Sequence, residues 1–550
     1  MAERWYAIRC PLDALGDTRY RELRVAVLMP RLELRPMPTQ LPSRPQRSTS
    51  SPLGHRLRVV AIALIATAPF FTACSTPPTP PSYDVVVANG HVMDPETGFD
   101  KVANVGINKG TIAAISETPL RGGETIDATG LVVAPGIIDI HSHGEDNLNY
   151  NFRALDGVTS MLDAEKGTDD VDRWYAAREG KTPVNFGISA GHSPARVVVM
   201  KDEYHGWHFS GPARSKKASP AEIDQMVGIV KKGLARGAIG VGVTLFYTPA
   251  ASENEVTRIF ETAEAAPGAA VYVHLRYTGL GTKTTPSSSV ALQEVLDIAE
   301  KANVPLQVCH VSTVGLADTS KLLEMIGDAR SKGRDVSTEF YPYTAAMSGI
   351  KSTWFDPGWQ QLLGISYDRL QWPPTGEYLT EKTFKQYEKQ FPDREVIIHA
   401  IPEAALEAAA KSPYTMVVSD GLVFPDLTGH PRGVGTSGHV LATLVREKGW
   451  LTLMEALKKM TLMPAQRLEA RVPEMKKKGR VQVGADADLT VFDPARVTDK
   501  SSFQHPTEHS EGFVYVLVNG VPIVSKGELV NGAAPGRPIR GPITGQPDAK

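Results

Sequence analysis

Two histidines, His141 and His143, follow an apolar stretch at residues 134–140 and stand two positions apart. The stretch is typical of a buried strand, and side chains at positions i and i+2 of a strand point the same way. Both imidazoles would therefore converge at the strand's end, where two neutral imidazoles can bind a divalent transition metal. The alternative is that the two histidines lie at the mouth of a loop and form hydrogen bonds there. Residues elsewhere in the chain are needed to distinguish the metal site from this alternative.

Further polar side chains follow other apolar runs in the middle of the chain. They are Glu165 after the second strand, His192 after the third, His274 after the fifth, His310 after the sixth and Asp420 after the eighth. Any one of them alone could be a hydrogen-bonded structural residue, but matching places on so many strands favour a shared site. Imidazoles together with carboxylates suit Zn²⁺ better than Mn²⁺ or Fe²⁺.

The elements that would position these residues lie in residues 131–478, where apolar runs alternate with helix-like stretches. We predict strands at 158–164, 184–190, 239–245, 270–275, 306–310, 335–340, 395–399 and 416–419, and helices that include 220–236, 289–302 and 452–459. Repeated β-then-α order predicts a parallel sheet, and about eight strands fit a closed (β/α)8 TIM-like barrel, whose sites lie at the carboxyl ends of strands. An open doubly wound sheet is the alternative, but no Gly-rich phosphate loop follows the first strand.

Short β-rich runs separated by turns flank this region at residues 84–130 and 479–540. They predict one small β-sandwich domain built from both ends of the chain. The formal net charge is -2, which gives no indication of nucleic-acid binding. The three cysteines, Cys10, Cys74 and Cys309, cannot form a disulfide framework.

Residues 1–83 are predicted to be a leader outside the fold. It begins with a basic stretch that is either disordered or the product of a start codon assigned too early. An apolar run at 59–71 follows, which is short for a membrane span and typical of a signal peptide. The run ends at Cys74 in a sequence that resembles a bacterial lipobox, which implies lipid attachment there; the alternative is an ordinary export signal. A Pro-rich tether follows. We expect an exported cell-envelope protein, namely a periplasm-facing outer-membrane lipoprotein.

Several motifs resemble the amidohydrolase superfamily, namely His141-Ser142-His143, the strand-end His274 and His310, Ser419-Asp420-Gly421 and residues 484–489. Within it the chain is similar to the D-aminoacylase (N-acyl-D-amino-acid deacylase) group over residues 84–535. This similarity to the D-aminoacylase group rests on Gly157-Val158-Thr159, Phe246-Tyr247-Thr248-Pro249, Val273-His274-Leu275-Arg276, Tyr341-Pro342-Tyr343-Thr344-Ala345, His430-Pro431-Arg432-Gly433 and residues 459–468. Runs at 155–159 and 174–179 resemble the D-glutamate deacylase branch most.

The resemblance implies one or two divalent metal ions, with Zn²⁺ expected, held by His141, His143, His274 and His310. It also implies a metal-activated water, with Asp420 as general base and acid. Relatives carry a cysteine or a carboxylated lysine on the second strand. This chain has Asp163-Ala164-Glu165-Lys166-Gly167 there. Glu165 is the predicted ligand and Lys166 the alternative, while Glu165 could instead orient a ligand histidine.

Five residues are candidates for contact with substrate, each with a structural alternative such as an ion pair or core packing: His192, Tyr247, Arg276, Tyr341 and Arg432. Arg276 could bind a carboxylate in a bidentate manner, and Arg432 could meet an acidic side chain. The segment 346–394, rich in Trp, Tyr and Pro, is a candidate lid.

These observations favour a metal-dependent hydrolase that cleaves the linear amide bond of N-acyl-D-amino acids, with N-acyl-D-glutamate as one candidate. On the same fold, the alternatives are a cyclic amidase of the hydantoinase or dihydroorotase kind and a D-residue dipeptidase. A non-catalytic surface binding lipoprotein is a third possibility, which the presence of Asp420 and all the histidines disfavours. The expected partner is a small-molecule substrate, with no nucleic acid, and with membrane contact only through the anchor at Cys74.

Overall fold

The computed structural model describes residues 83–203 and 211–545. The predicted leader, signal peptide, lipobox cysteine Cys74 and Pro-rich tether therefore lie outside the described residues. Within the described ranges, no helix combines the length and the apolar character needed to cross a membrane.

Eight parallel strands form the central sheet. In chain order, barrel strands 1 to 8 are Ile137–Asp139, Val158–Thr168, Asn185–Gly191, Gly240–Thr244, Ala270–His274, Leu306–Val308, Val336–Phe340 and Thr415–Val417. Strands 1 and 8 meet just beyond their carboxyl ends, where the N–H of Asp420 donates to the carbonyl of His141 at 2.7 Å and Ser142 bridges Gly421 in parallel. The predicted (β/α)8 barrel is confirmed, and the open-sheet alternative is not adopted.

Two predicted strands belong elsewhere. The apolar run at 134–140 is divided at Gly136, where a Cβ would lie 2.2 Å from the hydroxyl of Thr159. Before this close approach, Val132–Pro135 belongs to the flanking sheet, and only Ile137–Asp139 enters the barrel. The run at 395–399 forms Glu395–Ile398, which pairs antiparallel with Ala346–Gly349 and Leu370–Gln371 outside the barrel. Apolar patterning predicts a buried strand but not its partner, which explains this difference.

Helices cover the barrel and connect its strands. The α-helices of eight or more residues are Asn147–Leu155, Val171–Arg178, His192–Met200, Pro220–Ala235, Glu253–Glu264, Ser288–Ala302, Thr319–Ser331, Glu381–Gln390, Glu403–Lys411, Arg432–His439, Leu453–Met460 and Leu462–Glu469, and Val440–Glu447 is a π-helix. The predicted helices are observed within one or two residues. Pro220–Ala235, for example, begins at a capping box in which the Ser219 side chain accepts from the N–H of Glu222.

Nine strands form the flanking sheet: Tyr83–Asp94, Phe99–Asn108, Thr111–Ser116, Gly122–Asp127, Val132–Pro135, Leu489–Phe492, Phe513–Val518, Val521–Ser525 and Glu528–Leu529. The two ends of the chain join where Val132–Pro135 pairs antiparallel with Leu489–Phe492. A separate apolar core, with Val87, Ile107 and Leu489 among its members, stabilises this sheet. The predicted β domain built from both ends of the chain is confirmed.

The segment between barrel strands 7 and 8 forms a cap beside the carboxyl ends of the strands. It contains the three-stranded sheet, the helix Glu381–Gln390 and short helical turns at Thr353–Phe355, Trp359–Leu363 and Tyr367–Arg369. Aromatic rings pack its interior, with the Phe355 and Phe384 centroids 5.0 Å apart. The predicted lid segment is thus an ordered wall of the site described next.

Candidate active site

Two imidazoles at the end of barrel strand 1 face the same space. The Nε2 atoms of His141 and His143 lie 3.1 Å apart. Each ring is held through Nδ1 by a carboxylate, Glu339 for His141 and Asp163, at 3.1 Å, for His143. Carboxylates on both Nδ1 atoms leave both Nε2 atoms directed at one point, which is the usual arrangement of metal-binding histidines.

Glu165, at the end of barrel strand 2, lies among three of the predicted histidine ligands. Its Oε1 is 3.1 Å from Nε2 of His310, and its Oε2 is 3.2 Å from Nε2 of His141 and 3.4 Å from Nε2 of His143. Burial raises the pKa of Glu165, but the charges and hydrogen bonds of the imidazoles outweigh it and hold the pKa well below its usual value. Lys166 is not among the residues that line the cavity.

His274, at the end of barrel strand 5, lies beside this cluster with its tautomer set by the backbone. Its Nδ1 donates to the carbonyl of Leu275 at 3.0 Å, which leaves Nε2 with a lone pair. Burial and the neighbouring His310 lower the pKa of His274 to about 4. The ring stacks on Phe246, with centroids 5.0 Å apart, and lines the cavity. A buried, neutral imidazole of this kind is suited to metal ligation.

Asp420 connects the histidines to Arg432. Its Oδ1 lies 3.2 Å from Nε2 of His143, and its Oδ2 lies 2.9 Å from Nη1 of Arg432. Burial raises the pKa of Asp420, but the charges of Arg432 and His141 outweigh it and keep the carboxylate ionised. The backbone at Asp420 has φ of +50°, and His310 has +28°. Such positive φ values are strained for residues other than glycine and tend to occur at functional sites.

Arg432 has donors available for an anion. Its guanidinium lies over the ring of Tyr341, 4.4 Å from the centroid. In the described part of the chain, Nε and Nη1 of Arg432 are buried without a hydrogen-bond partner, since the Nη1 contact with Asp420 is close but not aligned as a hydrogen bond. Buried unpaired donors are rare and costly, so these two are suited to a carboxylate of a bound ligand.

These residues line one cavity at the carboxyl ends of the barrel strands. Cap residues complete its wall opposite the histidines. The lining residues are His143, Glu165, Tyr247, His274, His310, Tyr341, Ala346, Met347, Trp354, Glu395, Asp420, Leu422 and Arg432. Of the predicted substrate contacts, Tyr247, Tyr341 and Arg432 lie here.

Two predicted substrate contacts do not reach the cavity, which corrects that expectation. His192 directly follows barrel strand 3 and begins a helix, and its Nε2 lies 2.8 Å from Glu255 in a fully buried network that includes Arg196. Arg276 forms an ion pair with Glu294, with Nη2 2.8 Å from Oε1. Both residues take the structural alternative because a carboxylate of a neighbouring helix is their nearest partner.

Three acidic residues that were not predicted from the sequence also lie at the site. Asp163 and Glu339 orient His143 and His141, and Glu395 lines the cavity from the cap. Asp163 shares a strand face with Glu165, and Glu339 comes near the end of barrel strand 7, so strand alternation could have indicated both. Nothing in the sequence indicates that Glu395 faces the histidines.

Donor atoms of His141, Glu165 and His310 lie within 4.8 Å of one another, as do those of His141, His143 and Asp420. These two triads share His141. Imidazole nitrogens and carboxylate oxygens are the donors that Zn²⁺ accepts, and the excess of acidic groups favours a cation. The described residues therefore fit one divalent ion or a pair.

Comparison with known proteins indicates the family to which the chain belongs. The sequence profile of the Amidohydrolase family matches residues 124–353 and 427–524. D-Aminoacylase from Alcaligenes xylosoxydans xylosoxydans is 29% identical over 493 residues, covering 80% of this chain and 94% of its own. N-acyl-D-glutamate deacylase from the same organism is 28% identical over 517 residues, covering 84% and 98%.

A solved structure of D-aminoacylase, described as having a binuclear metal center, superposes with a TM-score of 0.71 at 26% identity. The superposition covers 83% of this chain and all of that one. The barrel, the flanking sheet and the family match together establish that this chain is a member of the amidohydrolase family.

Proposed function

We propose that this protein is a metal-dependent hydrolase that cleaves the linear amide bond of N-acyl-D-amino acids. The observation that carries the proposal is the cavity in which Glu165 and the histidines lie next to Asp420, with the unpaired donors of Arg432 beside it. A metal-ligand cluster adjacent to a carboxylate and a cation is what hydrolysis of an acylated amino acid requires. The relatives named above have activities of this class.

His141, His143, Glu165, His274 and His310 would hold the metal, for which the donor set favours Zn²⁺. When bound, the ion supplies Lewis-acid polarisation of the amide carbonyl and lowers the pKa of a water molecule. The two triads that share His141 allow one ion or two, and the D-aminoacylase structure compared above is described as binuclear.

The chain's own residues would supply proton transfer and orientation. Asp420, ionised beside Arg432, can accept a proton from the attacking water at Oδ1 and pass it to the departing nitrogen. The Nε donor of Arg432, which lacks a hydrogen-bond partner in the described part of the chain, can bind the substrate's carboxylate and align the amide with Asp420. Asp163 and Glu339 hold the imidazoles of His143 and His141 in fixed orientations for this step.

Metal analysis combined with a substrate panel tests the proposal. We expect the purified full chain to contain zinc and to deacylate N-acetyl-D-amino acids, and chelation should abolish turnover. Asp420→Asn should lower kcat by about 10²- to 10⁴-fold while zinc is retained. A matched control is Asp224→Asn, which removes an exposed carboxylate paired with Arg258.

The panel also separates the alternatives. It should include cyclic imides and dipeptides with a D-residue next to the linear acyl compounds, with the acidic N-acyl-D-glutamate among them. Turnover of cyclic imides alone by the zinc protein would refute linear amide cleavage. Unchanged kcat in Asp420→Asn would remove this residue from proton transfer.

We further propose that the protein is an exported lipoprotein anchored at Cys74. The apolar run at 59–71 and the lipobox-like residues that follow support this. Expression in a Gram-negative host should give a membrane-associated form carrying lipid on its first residue. Cys74→Ser should release the protein from the membrane fraction, and continued membrane association of that variant would count against the anchor.

A further inference from the structure

One acidic residue of the cavity wall has no part in the chemistry proposed above. Glu395 begins the cap strand Glu395–Ile398 and lies opposite Gly349 in antiparallel register. Its neighbour Arg394 points the other way, 2.5 Å from Asp426 near the surface. Strand alternation thus directs Glu395 inward, where it lines the cavity with only 7% of its surface exposed.

Within the described ranges the Glu395 carboxylate has no hydrogen-bond or ion-pair partner, and the positive charges of Arg432, His143 and Lys166 act on it only from a greater distance. No hydrogen bond reaches it, and no basic nitrogen lies within the 4.0 Å of an ion pair. Arg432 shares the cavity, but its ion pair is with Asp420. The cap residues beside Glu395 in the wall, Met347 and Trp354, are largely apolar. A buried carboxylate is costly unless a cation or hydrogen-bond donors compensate it, and a charged N–H donor of a ligand in the cavity would do so directly.

The wall of the cavity therefore carries one charged group of each sign in addition to the predicted metal ligands and Asp420. Arg432, with its unpaired donors, is suited to the anionic group of a substrate, whereas Glu395 is suited to a cationic group. An acidic side chain directed at Glu395 would bring two carboxylates together in a partly dehydrated site, which is unfavourable. A neutral side chain would offer Glu395 no charged donor.

We propose that Glu395 selects substrates that carry a cationic nitrogen in addition to the carboxylate, and this rests on the proposed deacylase function. The cation can come from either arm of the substrate. It is the ammonium or guanidinium of a basic D-side chain, or the α-ammonium of an aminoacyl group. The shared requirement is a charged N–H donor that reaches Glu395.

The test compares isosteric substrate pairs on the zinc-loaded full chain. N-acetyl-D-lysine against N-acetyl-D-2-aminoheptanoic acid probes the side chain, and glycyl-D-norleucine against N-propionyl-D-norleucine probes the acyl arm. One of these pairs should show kcat/KM higher for the cationic member by about 10- to 100-fold, the range for a hydrogen bond to a charged group. N-acetyl-D-glutamate should be the poorest substrate. Equal values in both pairs, or a preference for the glutamate compound, would overturn the proposal.

Two variants connect the preference to Glu395. Glu395→Gln keeps the shape and removes the charge, so the ratio within the preferred pair should fall by about 10- to 100-fold. The matched control Glu381→Gln removes an exposed charge from the helix of the same cap, where it pairs with Lys385, and should keep the ratio. An unchanged ratio in Glu395→Gln would contradict the assignment.

A binding measurement separates this proposal from the proposed function. Calorimetric titration of the zinc-loaded protein with N-acetyl-D-lysine and N-acetyl-D-2-aminoheptanoic acid needs no turnover, and glycyl-D-norleucine with N-propionyl-D-norleucine covers the acyl arm. Tighter binding of a cationic ligand that is lost in Glu395→Gln supports the selectivity even if no N-acyl-D-amino acid is hydrolysed. Turnover of neutral and acidic substrates with no advantage for cationic ones overturns the selectivity and leaves the deacylase function standing.

Discussion

Replacing Glu339 with glutamine should weaken zinc binding although Glu339 is not a predicted ligand. The carboxylate is 1% exposed, accepts from Nδ1 of His141 and also accepts from Nε2 of Gln307 at 2.8 Å. A glutamine side chain has one oxygen and one NH2 group in place of two acceptor oxygens. One of the two donors would then face another donor, and His141 would lose its fixed orientation.

The expected loss follows from the bond that is removed. A hydrogen bond to a charged group contributes about 1.5–3 kcal/mol, and each 1.4 kcal/mol corresponds to about tenfold in affinity. The zinc dissociation constant of Glu339→Gln should therefore rise by about 10- to 100-fold, the range seen when partners that orient ligand histidines are removed. Activity at limiting zinc should fall in parallel and recover partly at high zinc.

Competition with a chromophoric chelator would measure this dissociation constant, and circular dichroism would verify the fold. Asp335→Asn is a matched control, because Asp335 precedes the same strand at its opposite end and its carboxylate is exposed, although it pairs with the buried Arg467. A folded Glu339→Gln protein whose zinc affinity stays within about threefold of the original would refute the orienting role.

Three further predictions concern the cavity and its surroundings. Arg432→Met should raise KM by about 10- to 100-fold in steady-state assays, because the substrate's carboxylate loses its donors; an unchanged KM would contradict this. Arg276→Met should lower the free energy of unfolding by about 1–3 kcal/mol in denaturant titrations, since Glu294 loses its partner, with KM little changed. Burial, reinforced by the charge of Asp420 and opposed by that of Arg432, raises the pKa of Glu395 to about 7. Ionisation of Glu395 should therefore increase the preference for cationic over isosteric neutral substrates as pH rises through about 7, and Glu395→Gln should show no such rise.

The barrel could be predicted because its evidence is local. Apolar strands that alternate with amphipathic helices need no knowledge of partners, and the polar residue after each strand follows from where barrel sites lie. Position after a predicted strand identified His141, Glu165 and Asp420, which the structure brings together. It also predicted a small β domain formed by both ends of the chain.

Local sequence patterns are misleading where a residue's partner lies far away in sequence. His192 follows a strand as the other candidates do, yet Glu255 on a later helix holds it in a buried network. Arg276 stands two residues after His274, yet its guanidinium turns to Glu294. The strand at Glu395–Ile398 was assigned to the barrel because its apolar pattern carries no information about which sheet it joins.

What the sequence alone determined is the set of chemical groups and the order of elements that carry them, because spacing, apolar period and residue type are local properties of a chain. What only the tertiary structure decided is which of these groups share a space. Glu339 beneath His141, the donors of Arg432 left unpaired, and Glu395 facing the histidines from the cap all depend on side chains distant in sequence. Charge compensation in a buried site depends on distances in space, and those exist only once the barrel has closed and the cap has packed against it.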